Sequence, residues 1–430
     1  MDELGFTLVF LGVLFLFLGS GIWVALSLIG VAMVGMFLFT SRPLGDAMAT
    51  TIWSMSSSWT LAALPLFIWM GEILFRTRLS EDLFKGLQPW MQRLPGGLLH
   101  VNIAGSAIFA AISGSSAATV ATVGRMSIPE LNRRKYPEHM IVGTLAGAGT
   151  LGLLIPPSIT LIIYGVAVNE SIARLFIAGI LPGIMLAAMF MFYVAGWALI
   201  TGNVPKAEET YTRRQKLRAL AQFIPVVALI LAVMGSIYTG IATATEAAVL
   251  GVGGSLLLSA LQGSLDWTSF RESLMGATRT SCMIAFILAG SAFLSLAMGF
   301  TGLPRALATW IVSLELEPWM LIAALTVFYV VLGCFLDGIS SIVLTMAVIE
   351  PLVRQAGFDM IWFGIFLMIA VEIAQITPPI GFNLFVLQGM TDRDIDFIAK
   401  AALPMFLIML IAIGLLSLFP EIATFLPSRM

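Results

Sequence analysis

Gly149-Thr150-Leu151-Gly152-Leu153-Leu154-Ile155-Pro156-Pro157 interrupts one apolar run, and Ala374-Gln375-Ile376-Thr377-Pro378-Pro379 interrupts another 222 positions later. Each break has the same companions upstream. Ser115-Ser116 and Pro129 precede the first; Ser340-Ser341 and Pro351 precede the second. Pro129 to Pro156 is 27 positions, as is Pro351 to Pro378, and the serine pairs are displaced by 225, so the two copies differ by three residues. Adjacent prolines remove two N–H donors and free carbonyls one turn earlier. In hydrocarbon every backbone polar group needs a partner within the protein. A polar break that recurs in register in two halves of a chain therefore marks a place where something uses the freed groups. In a membrane chain it is a pointer to a transporter's binding site.

The composition places the chain in a membrane. It is 59% hydrophobic and 11% charged, with a mean hydropathy of +1.00, against about 25% charged residues in a soluble domain. Several nearly uncharged stretches, Leu181–Leu199 and Met405–Leu418 among them, approach or join runs of the roughly 20 residues needed to cross a bilayer as a helix. They are continuous rather than alternating, which argues against a β-barrel. The expected fold class is an all-α polytopic membrane protein. The N-terminus, Met1-Asp2-Glu3-Leu4, lacks the basic segment of a signal peptide, so the first apolar run is expected to persist as a helix. No basic, aromatic-interleaved patch points to nucleic acid. Cys282 and Cys334 stand apart in apolar context and read as inert buried thiols.

Helices are expected near 4–19, 21–39 and 59–75, with an amphipathic, charged arm over 76–94. A segment over 97–113 ends at Ser113-Gly114-Ser115-Ser116, a second apolar stretch follows to Val123, a basic loop spans Arg125–Lys135, 139–167 is a helix broken at Thr150–Pro157, and 175–200 is a plain span. The polar stretch 202–218 divides the chain. Spans follow near 222–240, 243–262 and 280–299, then a short amphipathic piece near 303–316. A helix over 319–337 leads to Asp337-Gly338-Ile339-Ser340-Ser341, 342–355 returns, 360–388 is broken at Thr377-Pro378-Pro379, and 402–420 is last. With the N-terminus outside and both serine segments treated as re-entrant hairpins, 17 of the 22 Lys and Arg fall inside and only Arg42, Arg174, Arg305, Arg354 and Arg429 outside. One hairpin then opens to each side, so the two copies are expected to be inverted repeats.

Each serine tip is expected to meet the break of its own repeat. The first candidate site combines Ser113, Ser115, Ser116, Gly149, Thr150 and Pro156, with Ser115, Ser116, Thr150 and Gly152 as Na⁺ ligands. The second combines Asp337, Ser340, Ser341, Thr377 and Pro378, with Ser340, Ser341 and Thr377 on Na⁺. Hydroxyls and freed carbonyls suit a hard cation that has shed part of its water, and half-helix N-termini suit an anionic substrate. Glu72, Glu246, Asp337, Glu350 and Glu372 stand within or beside apolar runs. Such carboxylates are expensive there, about 2.5–3.5 kcal/mol on insertion scales, and mark pathways. Glu246, following Thr243, reads instead as a helix cap.

Other motifs carry less. Gly147-Ala148-Gly149-Thr150-Leu151-Gly152 matches GxGxxG without the strand a dinucleotide site requires. There is no P-loop, His100 and His139 have no metal-ligand spacing, and no nucleophile–base pair supports an enzyme. Gly143/Gly147 and Gly179/Gly183 read as close helix packing.

Taken together, Leu64-Pro65-Leu66-Phe67 with Gly71-Glu72, Ile112-Ser113-Gly114-Ser115-Ser116, Gly149-Thr150-Leu151-Gly152 with Ile155-Pro156-Pro157-Ser158, Thr245-Glu246-Ala247-Ala248 and Thr377-Pro378-Pro379-Ile380-Gly381-Phe382-Asn383-Leu384-Phe385 resemble the large membrane subunit of a TRAP (tripartite ATP-independent periplasmic) transporter. The resemblance runs along nearly the whole chain. It departs from the family at Thr119, where many members carry an Asp. What it implies is secondary active import of an organic acid, such as a C4-dicarboxylate, a sialic acid or a keto acid, by Na⁺ symport with Na⁺ as the coupling ion and no other cofactor. It implies a periplasmic substrate-binding protein and a small four-helix membrane subunit as partners. The first 60 residues offer only two helices, so that subunit is expected as a separate chain in the bacterial inner membrane. It also implies an elevator fold: 1–95 scaffold and arm, 96–200 the first transport-domain repeat, 201–319 linker and scaffold, and 320–430 the second repeat. A stand-alone Na⁺-coupled divalent-anion transporter without a binding protein is the alternative.

Overall fold

The computed structural model describes residues 3–77, 79–202, 205, 211–302, 309, 317–379 and 381–430. Most of the amphipathic piece expected near 303–316, much of the polar linker, and Arg78, Lys206, Arg305 and Ile380 lie outside the described residues.

The first part of the chain forms α1 (Glu3–Gly19), α2 (Val24–Phe39), α3 (Leu44–Ser56), α4 (Ala63–Arg76) and α5 (Leu79–Met91). Helix α3 corrects the expectation of only two helices in the first 60 residues. It buries none of its side chains, and its run of Ala, Thr, Ser and Met lacks the continuous apolarity by which the other helices announce themselves. Next come α6 (Leu99–Ser113), α7 (Ser116–Arg133), α8 (Glu138–Thr150), α9 (Ile159–Ala167) and α10 (Ile172–Thr201). Helix α7 corrects the loop expected over Arg125–Lys135: it continues through Pro129 as far as Arg133. The middle of the chain holds α11 (Arg213–Tyr238), α12 (Ala244–Leu261) and α13 (Trp267–Thr301). Helix α13 begins well before the expected 280, because Asp266 caps it by accepting from the Ser269 N–H at 2.6 Å. The last part repeats the pattern of the second: α14 (Pro318–Gly333), α15 (Gly338–Gln355), α16 (Met360–Gln375), α17 (Phe382–Thr391) and α18 (Ile395–Leu418), followed by a short terminal turn. No strand occurs among the described residues. Six of the described helices are long and apolar enough to cross a membrane.

Local chemistry sets the boundaries. Gly114 ends α6 at φ +57°, a conformation that favours glycine, and Ser115 then caps α7 by accepting from the Ala118 N–H. Asp337 caps α15 through the Ile339 and Ser340 N–H groups, and Asp359 caps α16 through those of Ile361 and Trp362. Thr243 and Glu246 form both halves of a capping box at the start of α12, as expected of Glu246.

Helices α2, α3 and α4 pack around α13, with α12 against α4 and α11 against α5. The two repeats interlock. Helix α8 packs between α6, α7 and α18, and α16 packs against α14, α15 and α18. After each break the chain crosses to the other repeat: α17 lies on α7, and α9 lies on α15. Small residues permit the closest approaches. A Cβ on Gly179 of α10 would stand 2.6 Å from the Leu154 carbonyl oxygen, and one on Gly183 would stand 2.7 Å from Ile155. Gly143 and Gly147 make equally close contacts with Ala401 and Met405 of α18. Ion pairs tie the ends. Arg393, in the turn between α17 and α18, binds both Glu138 oxygens at 2.8 and 2.6 Å. Arg354, at the end of α15, binds Glu350 at 2.9 Å and Glu170 at 3.4 Å. Cys334 is buried, but Cys282 is exposed on α13, which corrects its reading as a buried thiol.

Candidate functional site

At the first tip, Ser113 Oγ and Thr119 Oγ1 share a hydrogen bond of 2.9 Å, and Thr119 also donates to the Ser115 carbonyl at 2.8 Å. Thr119 is fully buried, and its hydroxyl closes the tip on itself. The first break lies against this tip. A Cβ on Gly152 would stand 2.9 Å from the Ser115 carbonyl carbon and oxygen and 3.1 Å from the Ser116 nitrogen. Gly149 abuts Val120 of α7. Ser158 holds the far side of the break: its hydroxyl donates to the Leu153 carbonyl at 2.6 Å and caps α9 through Leu161. Ser115, Ser116, Gly149 and Gly152 therefore come together. The Thr150 hydroxyl does not join them, since it donates to the Gly147 carbonyl at 2.7 Å and faces Met409 of α18. Pro156 is buried, on the side of the break toward Gly179.

The second tip meets its break through Cys334, whose thiol lies 3.3 Å from the Pro378 carbonyl oxygen and 3.9 Å from that of Thr377. The Thr377 hydroxyl donates back to the Ile373 carbonyl at 2.6 Å. Ser340 and Ser341 are buried, and Ser341 Oγ has no hydrogen-bond partner. Asp337 is exposed, its carboxylate engaged on the N-terminus of α15. The two breaks differ in surroundings: Pro156 and Pro157 are buried, whereas Pro378 and Pro379 are exposed beside Phe382 and Phe385. Both Pro–Pro bonds are cis.

Two contacts join the repeats at the centre. Asn383, in the first turn of α17, donates to Ser116 Oγ at 2.6 Å, and both residues are buried. The other end of that amide, Oδ1, is buried without a partner. The second contact is Glu372 of α16, which is fully buried. Its carboxylate faces the Thr150 hydroxyl and the Leu154 N–H, but those donors are taken by the Gly147 and Leu151 carbonyls, and neither Glu372 oxygen has a hydrogen-bond partner. A Cβ on Gly338, at the second tip, would stand 3.0 Å from Leu153 of the first break and 3.6 Å from Gln375, just before the second. Contacts thus link both tips to both breaks. Asn383 was visible in the motif after Pro378-Pro379 but carried no assigned role. Glu372 stands 222 positions after Thr150, the displacement that relates the breaks, and that arithmetic could have paired them.

A separate cavity of about 1180 Å³ opens between residues 42–60, the α9–α10 turn and the start of α12. Arg42, Asp46, Ser58, Glu170 and Thr243 are among its lining, and none of the predicted site residues reaches it.

Apolar spans around two helix–tip–helix units and two interrupted helices define a polytopic membrane transporter. The sequence model described as the DctM component of the tripartite ATP-independent periplasmic transporters matches residues 11–422, and the chain belongs to that family. It is 30% identical over 437 residues to the C4-dicarboxylate TRAP transporter large permease protein DctM of Rhodobacter capsulatus, covering 98% of each chain. It is 28% identical over 420 residues to the sialic acid TRAP transporter large permease protein SiaM of Vibrio cholerae, covering 97% of this chain and 96% of that one. Its fold is similar to that of the Alcanivorax borkumensis YdaH transporter, with a TM-score of 0.62 and 13% identity over 94% of this chain and 96% of that one.

Proposed function

We propose that the chain imports an organic acid by Na⁺ symport, receiving it from a periplasmic binding protein and working with a small four-helix membrane subunit in the bacterial inner membrane. The observation that carries this reading is the convergence of both tips and both breaks, joined by the 2.6 Å bond between Asn383 and Ser116. The donor set fits a hard monovalent cation. It consists of hydroxyls and carbonyls, and it includes buried oxygens without partners, Ser341 Oγ and Asn383 Oδ1. Among the described residues no three His, Cys, Asp or Glu side chains gather as a transition metal would require.

The residues that would hold Na⁺ are Ser115 and Ser116 with Gly152 in the first half, and Ser340, Ser341 and Thr377 in the second. Oxygens fixed by the tips replace the ion's hydration shell. The N-termini of α9 and α17, with their positive dipole ends, attract the substrate carboxylate. An organic acid is the substrate class because relatives over the full length are named for a C4-dicarboxylate and for a sialic acid. The transport domain is assigned to 96–200 and 320–430 as inverted repeats, and the scaffold to 1–95 and 201–319; an elevator motion moves one against the other. The packing of α9 on α15 and of α17 on α7 joins the two repeats into one body and is consistent with this division.

The test is uptake into liposomes holding the chain, its small subunit and its binding protein, with C4-dicarboxylate and sialic acid as probes. Uptake should require an inward Na⁺ gradient, and Ser116→Ala and Thr377→Ala should each raise the Na⁺ concentration for half-maximal rate. Uptake indifferent to Na⁺ would remove the coupling. Uptake by the isolated chain would remove the need for a binding protein.

A further inference from the structure

Glu372 belongs to neither of the ion sites proposed above. Among the described residues it is the only buried acid, and no Lys or Arg is buried. It is fully buried in α16, and neither carboxylate oxygen has a hydrogen-bond partner. The polar groups it faces are the Thr150 hydroxyl and the Leu154 N–H. Their hydrogens are committed elsewhere, to the Gly147 carbonyl at 2.7 Å and the Leu151 carbonyl at 3.2 Å. Thr150 therefore offers the acid its lone pairs and not its hydrogen. Oxygens face oxygens with no donor between them, in an interior where a charge is costly unless it is paired or bound to a metal ion. Acids inside membrane segments commonly mark ion pathways.

We infer that Glu372 and Thr150 hold a Na⁺ ion of their own between α8 and α16. A proton would serve one carboxylate oxygen and leave the other bare. A cation serves both, and it turns the Thr150 lone pairs from a liability into a ligand. The site is separate from the one assigned to the first tip: Gly152 turns toward Ser115 and Ser116, whereas Thr150 turns toward Met409 and Glu372. Pro156 and Pro157 free carbonyls in the same stretch of chain, and such carbonyls suit the rest of the shell. One carboxylate matches a monovalent ion, since a divalent one would leave a net positive charge in a dry interior. The identity of the ion rests on the proposed Na⁺ coupling; the need for a cation does not.

The test is equilibrium unfolding of the purified full chain in mixed micelles over a Na⁺ series, with choline holding the ionic strength, so that no transport is involved. Each ion held only by the folded chain raises the folding constant about tenfold for every tenfold of Na⁺ above its Kd. Glu372→Gln should lose one such tenfold step relative to the wild type. In Na⁺-free buffer it should be at least as stable, because it discards a buried charge that no protein group balances. Ser116→Ala should lose a different step, and the double variant should lose both. Glu421→Gln removes the same charge from an exposed position near the C-terminus and should match the wild type. A Glu372→Gln protein with the wild-type Na⁺ slope would place a proton on the acid and overturn the site, with the coupling still judged by Ser116→Ala. A variant that unfolds in Na⁺-free buffer would give the carboxylate a structural bond, and a double variant no worse than Ser116→Ala would merge the acid with the first tip; either result overturns the site. A wild type indifferent to Na⁺ would remove the coupling and this site together.

Discussion

Replacing Gly152 by Ala tests whether the first tip and the first break act as one site. The backbone at Gly152 has no positive φ, so alanine meets no conformational barrier there and by itself would slightly stabilise the chain. Any loss therefore comes from the new methyl group. Its carbon would stand 2.9 Å from the Ser115 carbonyl and 3.1 Å from the Ser116 nitrogen, where ordinary contact begins at 3.4 Å. The tip must withdraw by about 0.5 Å, and because the obstructing atoms are backbone, no side-chain rotation relieves the clash. Overpacking of this kind costs roughly 1–3 kcal/mol. If Na⁺ binds only with the tip seated on the break, that cost appears as a roughly 5- to 150-fold loss of apparent Na⁺ affinity. It would be read from the Na⁺ dependence of uptake and of thermal stabilisation. Gly338→Ala is the control. Its methyl group would meet Leu153 Cδ2 and Val371 Cγ1 at 3.0 Å, but no backbone atom as close as those at Gly152, so its effect should be the smaller one. A Gly152→Ala protein with unchanged Na⁺ dependence, or a larger effect from Gly338→Ala, would refute the reasoning.

Asn383→Leu keeps the volume of the side chain and removes the donor to Ser116, leaving a buried hydroxyl unpaired at a cost of about 1–3 kcal/mol. In a thermal-unfolding cycle with Ser116→Ala, the double variant should lose less than the sum of the singles; additivity would show that the two residues do not interact. The pH response at the α7 terminus has a definite sign. Burial would raise the Glu130 pKa, but hydrogen bonds and charge from Arg134 and Arg133 outweigh it and hold the pKa below the ordinary 4.5. The stability this carboxylate contributes is therefore present above 4.5 and is lost as the pH falls through its depressed value. Glu130→Gln should flatten the acid limb of a thermal-stability profile below about pH 4.5; an unchanged limb would place the acid sensitivity elsewhere.

The breaks, the tips and the long spans were legible in the sequence because their signals are local. Two adjacent prolines stop a helix wherever they fall, and Ser115, Ser158 and Asp337 cap whatever helix follows them. Helix α3 was missed because its core-facing residues, Leu44, Ala47, Met48 and Met55, are only partly buried and are interleaved with Gly, Asp, Thr and Ser, so the apolar stripe is weak. At the site, spacing paired Ser115-Ser116 with the first break, which lies against them, whereas the second tip meets its break through Cys334; the direction in which a hydroxyl points depends on which carbonyl is free in the folded chain. Thr150 and Thr377 both turn back onto their own helices, to the Gly147 and Ile373 carbonyls. Asn383 and Glu372 reach across to the other repeat. Such contacts leave no trace in a single repeat's pattern, and only the common 222-residue displacement hints at the second.

That displacement has a consequence for how such a chain can change over time. Thr150 and Glu372 occupy matched positions and face one another, so a chain made by doubling one half would set this residue against its own duplicate. Two identical glutamates there would confront like charges in a dry interior and could not both stay ionised. An unlike pair, with a hydroxyl on one side and an acid on the other, avoids that confrontation. Divergence at the centre thus leaves one acid, Glu372, set against the Thr150 hydroxyl in place of two acids set against each other.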